Sequence, residues 1–512
     1  MVAAENDALP GAKVGGVADV VRDIPLALTK KGVHVDVIIP SYGFLARLSD
    51  MHLVATLDVF FAGLMHQVTL LKQATKNSGV TQYILHHENF YPRGEMVYCN
   101  DKSDPPFFTD ATKYAFFCTC VAEALEEKAL IQPDVLHCHD WHAAFLFILK
   151  KYAVRYSVLR TLRTAYTIHN LAMQGLRPFK GGESSLESWF TDLHYDAQVI
   201  CDRRYPDCVN PMRAAILLAD KVHTVSPTYA QEILIPSDSD AYIYGGESLE
   251  KDLIFRNHNH ELFGILNGCN YSLEEDTHHK LSKNRFIELC KRNIHTWIGL
   301  NRYLKSAHWL ADKNIDRWSK KTTEKFVVTS VGRITDQKVT LFKARLKDGR
   351  IVLDALLERL SGYGIFILMG SGDEDFENFF TQLAGKYPHF IFLNGYSDEL
   401  SQSVYCGGDL FLMPSSFEPC GISQMLAMRE GQPCLVNAVG GLKDTVQHGE
   451  TGFVFQGNSL QEQAESFVKT FDDTLKLHQA STSIWKKICS NAKNVRFTWD
   501  DRAQEYITHL YS

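Results

Sequence analysis

The sequence predicts an α/β protein of two doubly wound, Rossmann-like domains facing an interdomain cleft. Three observations carry that prediction: short, nearly continuous apolar runs, helical stretches between them, and a polar region that separates one such series from a second. Strands that are apolar on both faces belong to a parallel sheet covered by helices on both sides. A chain of 512 residues also exceeds what one core accommodates, so at least two domains are expected from size.

In the first half the predicted strands are 33–40 (VHVDVIIP), 81–87 (TQYILHH), 134–140 (DVLHCHD), 164–170 (TAYTIHN) and 221–226 (KVHTVS). In the second half they are 325–333, 365–372, 389–396, 409–415, 433–441 and 452–457. The region from about 231 to 324 is polar, rich in His, Asn, Lys and Trp, and reads as helices and loops. The expected division is a first domain over 1–300, including the connecting region 231–300, and a second over 301–490. A final amphipathic helix within 491–512, capped by Thr498 or Asp500, is expected to pack back toward the first domain.

Composition narrows the function classes. With 45% hydrophobic and 22% charged residues and no low-complexity tract, the chain is an ordinary globular protein. A net charge of −7 without a dense basic run argues against binding a nucleic-acid backbone. No apolar run approaches the ~18 residues of a membrane helix, and no export signal is visible at the N-terminus. The 12 cysteines form no C-x-x-C pair, which points to reduced thiols and a cytoplasmic location.

In open α/β sheets ligands sit beyond the carboxyl ends of the strands. The polar clusters of this chain fall at such ends: His137 to Asp140, His169-Asn170, Ser226, Gly332-Arg333, Tyr396, Ser415 to Glu418, and Gly440-Gly441. Ahead of a predicted helix, GAKVGGVADVV (11–21) carries Lys13, Gly15 and Gly16, a turn whose backbone N–H groups suit an anion, or simply a tight structural turn. Pro25 should kink or divide that helix. Arg333 and Lys338 on one loop suit a diphosphate, though two solvated loop cations would read alike. Glu418, at a strand end with Pro419 in the first turn of a following helix, suits sugar hydroxyls or a positively charged reacting carbon; a capping carboxylate is the plainer reading. Gly440-Gly441 repeats the anion-cradle pattern.

DVLHCHDWH (134–142) raises the question of a metal. Clustered zinc hydrolase motifs read H-x-H-x-D-H, whereas here the aspartate comes one place early and Trp141 fills its slot. On a strand His137 and His139 share one face and Cys138 the other, and no further ligands stand at a metal-like spacing. No metal is expected. The histidines read as strand and wall residues, and Asp140 as the residue that faces a sugar.

Taken together, K-x-G-G near the N-terminus, HCHDW, HN-x-x-x-QG, ADKVHTVSPTYA, NG at 267–268, GRITDQK, GYSDELSQSVYCGGDLFLMPSSFEPCG and GGLKDTV resemble bacterial glycogen synthases and plant starch synthases, in order and over nearly the whole chain. The resemblance implies the GT-B glycosyltransferase fold and metal-independent, retaining transfer of glucose from ADP-glucose to the non-reducing end of an α-1,4-glucan. It implies that Lys13, Gly15 and Gly16 form a glycine loop at the cleft. Asp140 and His169 would face the donor glucose, with the main chain at His169 near the reacting carbon, and Asn267 would line the sugar site. Arg333 and Lys338 would neutralise the diphosphate, and Tyr396 would stack on the base. Glu418 would hold glucose hydroxyls and support the transition state, which with Asp140 and His169 makes it a catalytic residue, and Gly440, Gly441 and Leu442 would form the phosphate turn of the second domain.

The chain departs from that family in places. Val339 stands where glycine is usual, so the loop carrying Lys338 is expected to differ in shape. Cys269-Asn270 replaces Ile-Asp, and the segment 338–350 is unusually basic, as an acceptor-contacting or a solvated loop would be. The chain begins inside what should be the central first strand, which predicts a mis-assigned start or a weakened first domain. A related enzyme using UDP-glucose or another acceptor is the nearest alternative, ahead of a non-catalytic glucan-binding homologue and a metal hydrolase.

Overall fold

The computed structural model describes all residues except 75–78, 100, 102–105, 239–241, 272–281, 301–302 and 321–325. Lys325, the first residue of the predicted strand 325–333, lies outside the described residues. The chain forms two compact units: Met1–Ser237 with Gly245–Gly268 and Thr498–Ser512, and Asp238–Tyr244 with Cys269–Phe497.

In the first unit the strands are β1 (Val35–Pro40), β2 (Met51–Phe61), β3 (Leu64–Gln73), β4 (Val80–His86), β5 (Val135–His139), β6 (Arg163–Ile168), β7 (Arg177–Pro178), β8 (Cys208–Val209), β9 (Lys221–Thr224) and β10 (Leu262–Gly264). Two four-stranded ladders, β1-β4-β3-β2 and β10-β9-β6-β5, are bridged by Val2, which pairs in parallel with Ile38 on one side and Cys138 on the other. Val2 thus stands where a doubly wound sheet reverses its strand order, between β1 and β5. The helix Gly16–Lys30 runs through Pro25 without interruption. A proline removes one i→i−4 bond, and the buried stripe of Val20, Val21, Ile24, Ala27 and Leu28 holds the helix across that gap.

The β2–β3 hairpin is antiparallel and was not foreseen. Its two-residue loop, Ala62-Gly63, has positive φ at both positions (52° and 75°), the geometry that normally advertises itself as Asn-Gly.

The second unit holds β11 (Phe326–Val331), β12 (Gly364–Gly370), β13 (Phe390–Asn394), β14 (Leu410–Met413), β15 (Cys434–Asn437) and β16 (Gly452–Phe455), all parallel, in the order β13-β12-β11-β14-β15-β16. This is the 3-2-1-4-5-6 order of dinucleotide-binding folds, with its switch point between β11 and β14. Alternate residues of each strand enter two separate cores: Phe366 and Leu368 on one face, Ile365, Ile367 and Met369 on the other. That is why these strands read as continuous apolar runs.

The units divide at Gly268/Cys269, not at 300/301. The helix Lys283–Leu300 belongs to the second unit because its stripe of Phe286, Cys290, Ile294 and Trp297 is buried in a core of that sheet. The C-terminal stretch returns to the first unit from Thr498, whose side chain caps the helix Trp499–Tyr506 by accepting from Asp501 N–H. Trp499, Ala503, Tyr506 and Leu510 are buried there against residues of the helix Gly16–Lys30. Among the described residues no helix is long and apolar enough to cross a membrane.

Candidate functional site

Each unit gathers polar residues at its switch point. In the first unit β5 ends at His139, and Asp140 turns the chain into the helix Asp140–Tyr152 with φ of 53°, a left-handed conformation that Asp tolerates better than most residues. The turn aims the buried carboxylate back across the sheet, where Oδ1 accepts the His169 backbone N–H at 2.7 Å. Burial pushes the Asp140 carboxyl up to about 7, the backbone N–H groups of His169 and Asn170 pull it down, and the nearby Glu5 raises it further. Asp140 therefore grips the main chain at His169, whatever else it faces.

Glu5 was missed by the sequence reading. Its Oε2 accepts the N–H groups of Val14 and Gly15 at 2.6 and 2.5 Å, and its Oε1 accepts from the Tyr98 hydroxyl at 2.6 Å. The loop of Lys13, Gly15 and Gly16 thus cradles an anion that belongs to the protein. Lys13 in turn pairs with Asp7 (3.2 Å) and Asp19 (2.6 Å). The first N–H groups of this glycine loop are thus committed to Glu5, and a ligand would meet Lys13 already paired. Only the Glu in AAEN, upstream of a Gly-Gly turn, hinted at this.

His169 ends β6 with its ring against His139, Nε2 to Nδ1 at 3.0 Å. His137 is held at both nitrogens, by Tyr511 and by Thr167. Burial lowers the proton affinity of all three rings, that of His169 to about 3. These histidines are neutral hydrogen-bonding groups. Asn267, 5% exposed beyond β10, has a buried Oδ1 with no hydrogen-bond partner among the described residues. The succeeding Gly268 leaves room for Trp499, since a Cβ there would lie 2.5 Å from the indole.

In the second unit β11 delivers Gly332 and Arg333, and β14 delivers Ser415 to Glu418. Arg333 is exposed and forms no ion pair among the described residues. Lys338 is not on a loop: it occupies the first turn of the helix Asp336–Lys343, where the helix dipole disfavours a cation. The Glu418 carboxylate offsets this by an ion pair with Lys338 Nζ and accepts from Ser415 Oγ at 3.2 Å. Val339 faces inward and joins the core of this unit, so a helix and not a flexible glycine turn carries Lys338. In the basic segment that follows, Lys343, Arg345 and Lys347 are exposed and Arg350 pairs with Asp348 and Glu358. Cys269, the other departure, donates its N–H to Phe497 O at 2.7 Å beside the point where the chain leaves this unit.

Pro419 does not open a helix. Residues 418–422 form an irregular turn, with Gly421 at φ 76°, before the helix Ser423–Arg429. Gly440 and Gly441 pack on that turn: a Cβ would come within 1.9 Å of Glu418 O at the first and 2.3 Å of Cys420 O at the second. Gly441 N–H donates to the Glu418 and Pro419 carbonyls, and Leu442 N–H to Val439 O, while the Leu442 side chain is in the core. These glycines serve close approach to the Glu418 loop, and the N–H groups of Gly441 and Leu442 are bonded within the protein. Tyr396, beyond β13, is 56% exposed and donates to Asp398 at 2.9 Å.

Among the described residues, no group of three or more His, Cys, Asp or Glu is placed to hold a metal ion.

The chain matches the family model of the starch synthase catalytic domain over residues 1–254 and that of glycosyl transferases group 1 over residues 325–473. The glycogen synthase of Streptococcus mutans is 33% identical over 525 residues, covering 100% of this chain and 98% of that protein. That of Desulfitobacterium hafniense is 30% identical, with 98% and 96% covered. Among solved structures, the catalytic domain of starch synthase IV from Arabidopsis thaliana, bound to ADP and acarbose, superposes with a TM-score of 0.74 at 26% identity, covering 100% of this chain and 97% of that one. Sucrose-phosphate synthase from Thermosynechococcus elongatus, at 17% identity and a TM-score of 0.53 with 97% and 93% covered, shares the fold alone. The architecture is that of the GT-B glycosyltransferases, and the chain belongs to the glycogen synthase and starch synthase family.

Proposed function

We propose that this protein is a retaining glucosyltransferase that moves glucose from ADP-glucose to the non-reducing end of an α-1,4-glucan. The observation that carries the reading is the pairing of Lys338 with a buried Glu418 at the switch point of a chain that matches glycogen synthases over its full length. In this reading Arg333 and Lys338 receive the diphosphate and Tyr396 offers its exposed ring to the adenine. Glu418 accepts from sugar hydroxyls once Lys338 turns to phosphate. On the first unit Asp140 sets the main chain at His169, and Asn267 offers its unpaired oxygen to a sugar hydroxyl.

The bond between the anomeric carbon and the diphosphate breaks, and a bond to the acceptor 4-oxygen forms on the same face. The acceptor hydroxyl proton passes to the leaving diphosphate, so no strong general acid is required. The products are ADP and a glucan one glucose longer. The reading places the protein in the cytoplasm and assigns it no metal cofactor.

Incubation with ADP-glucose or UDP-glucose and glycogen, with and without a chelator, tests this. Chelator-insensitive ADP release with glucan elongation is expected. Preferential turnover of UDP-glucose, loss of turnover with the chelator, or a trapped glucosyl adduct on a side chain would each overturn the corresponding part.

A further inference from the structure

The carboxyl ends of β5, β6 and β9 hold a set of buried imidazoles whose tautomers follow from their partners. His223 Nε2 faces the Ile265 carbonyl at 3.3 Å, so that nitrogen carries the proton and Nδ1 accepts. Thr167 Oγ1, 2.9 Å from His223 Nδ1, must then donate to it and accept from His137 Nε2 at 2.6 Å. His137 Nδ1 is left as an acceptor for the Tyr511 hydroxyl at 2.8 Å. One direction of donation runs from the C-terminal tyrosine to the edge of the sheet, and it leaves His137 with no nitrogen to offer a neighbour.

His139 stacks on His137, ring centroids 4.4 Å apart, and its only hydrogen bond among the described residues is from Nδ1 to His169 Nε2. One proton is shared between those two nitrogens. If it sat on His169, His139 would be obliged to carry its own proton on Nε2, which is buried without a partner among the described residues. An orphaned buried N–H is the rarer and costlier arrangement, whereas an orphaned lone pair is better tolerated. The proton therefore belongs to His139 Nδ1, and His169 accepts through Nε2.

The geometry points to His139 as a positioning residue that holds His169 in its Nδ1–H tautomer, so that this ring presents a donor, not a lone pair, to the sugar. His139 is 1% exposed and His169 8%, so the first is out of reach of a ligand while the second is at the edge of the site. A neutral imidazole donor suits a sugar hydroxyl oxygen and adds no charge beside a reacting carbon that becomes positive. The role in turnover rests on the glucosyl-transfer reading; the tautomer does not.

Two measurements on the full chain separate the two. Two-bond 1H–15N correlation spectra of histidine-labelled protein are expected to show His169 protonated at Nδ1 and bare at Nε2, and to show that preference lost in His139→Leu. In kinetics with ADP-glucose and glycogen, His139→Leu is expected to lower kcat by roughly ten- to a hundredfold with little change in donor KM, as for a displaced orienting group. His139→Asn, whose amide retains a donor near the Nδ1 position, is expected to recover most of it. A proton found on His169 Nε2, or His139→Leu turning over like the parent, overturns the inference. If the parent chain transfers no glucose, the functional reading fails, and the spectrum still decides the tautomer.

Discussion

Asp140→Asn tests the claim that a buried carboxylate is kept beneath His169 at a cost in stability. The carboxyl is pushed from its ordinary 3.8 to about 7, first by burial. A shift of that size corresponds to about 4 kcal/mol at 1.36 kcal/mol per pH unit. Because the folded-state value is raised, the folded protein binds the proton more tightly than the unfolded chain. Below pH ~4 both states are protonated and the site costs nothing. As pH rises toward about 7 the penalty grows, and above that it is complete. Asparagine removes the charge and keeps an oxygen for the His169 N–H.

The melting temperature of Asp140→Asn should thus match that of the parent near pH 4 and exceed it at pH 8. At roughly 2–4 °C per kcal/mol for a domain of 150–250 residues, the gap would be on the order of 10 °C. Calorimetry of the parent and variant across pH 4–8.5 measures it. A gap that stays constant with pH, or one that opens toward low pH, would refute the assignment of a destabilising buried charge.

Other outcomes follow from the second unit. Glu418→Ala should abolish glucosyl transfer while leaving the fold intact, because Lys338 is near enough to the surface to turn to water; circular dichroism with an activity assay checks both, and retained turnover refutes the role. Gly441→Ala should destabilise the second unit by about 2 kcal/mol or more, since the added methyl meets a backbone carbonyl that has no rotamer to yield. Denaturant titration reads that loss. In the first unit, Lys113→Met should cost about 3–5 kcal/mol, because Asp110 would lose the buried partner that holds it at 2.6 Å. Thermal unfolding is the measure.

Much of the candidate site was legible in the sequence because a parallel sheet places polar side chains able to meet a ligand where apolar runs stop. Asp140, His169, Arg333 and Glu418 all stand within a few residues of a strand end, and local pattern was enough to find them. Glu5 and His139 were not legible as functional residues. Each acts on a group that the fold brings to it, the N–H groups of Val14 and Gly15 for Glu5 and a ring on a neighbouring strand for His139, and residue type alone does not distinguish either from an ordinary buried side chain. The division at 268/269 was hidden for a similar reason: periodicity shows that the helix Lys283–Leu300 has an apolar stripe, not which sheet receives it.

The sequence by itself determined two doubly wound domains, most of their parallel strands, the polar ends of those strands and the family, because all of these are written in local alternation and in motifs. Only the tertiary structure decided what the N–H groups and charges at those ends are doing. There the loop of Gly15 and Gly16 closes on Glu5, Gly441 on the Glu418 loop, and Lys338 on Glu418. A backbone donor or a buried charge must be satisfied by whatever the fold brings within about 3 Å, and that neighbour is chosen by packing, not by position along the chain.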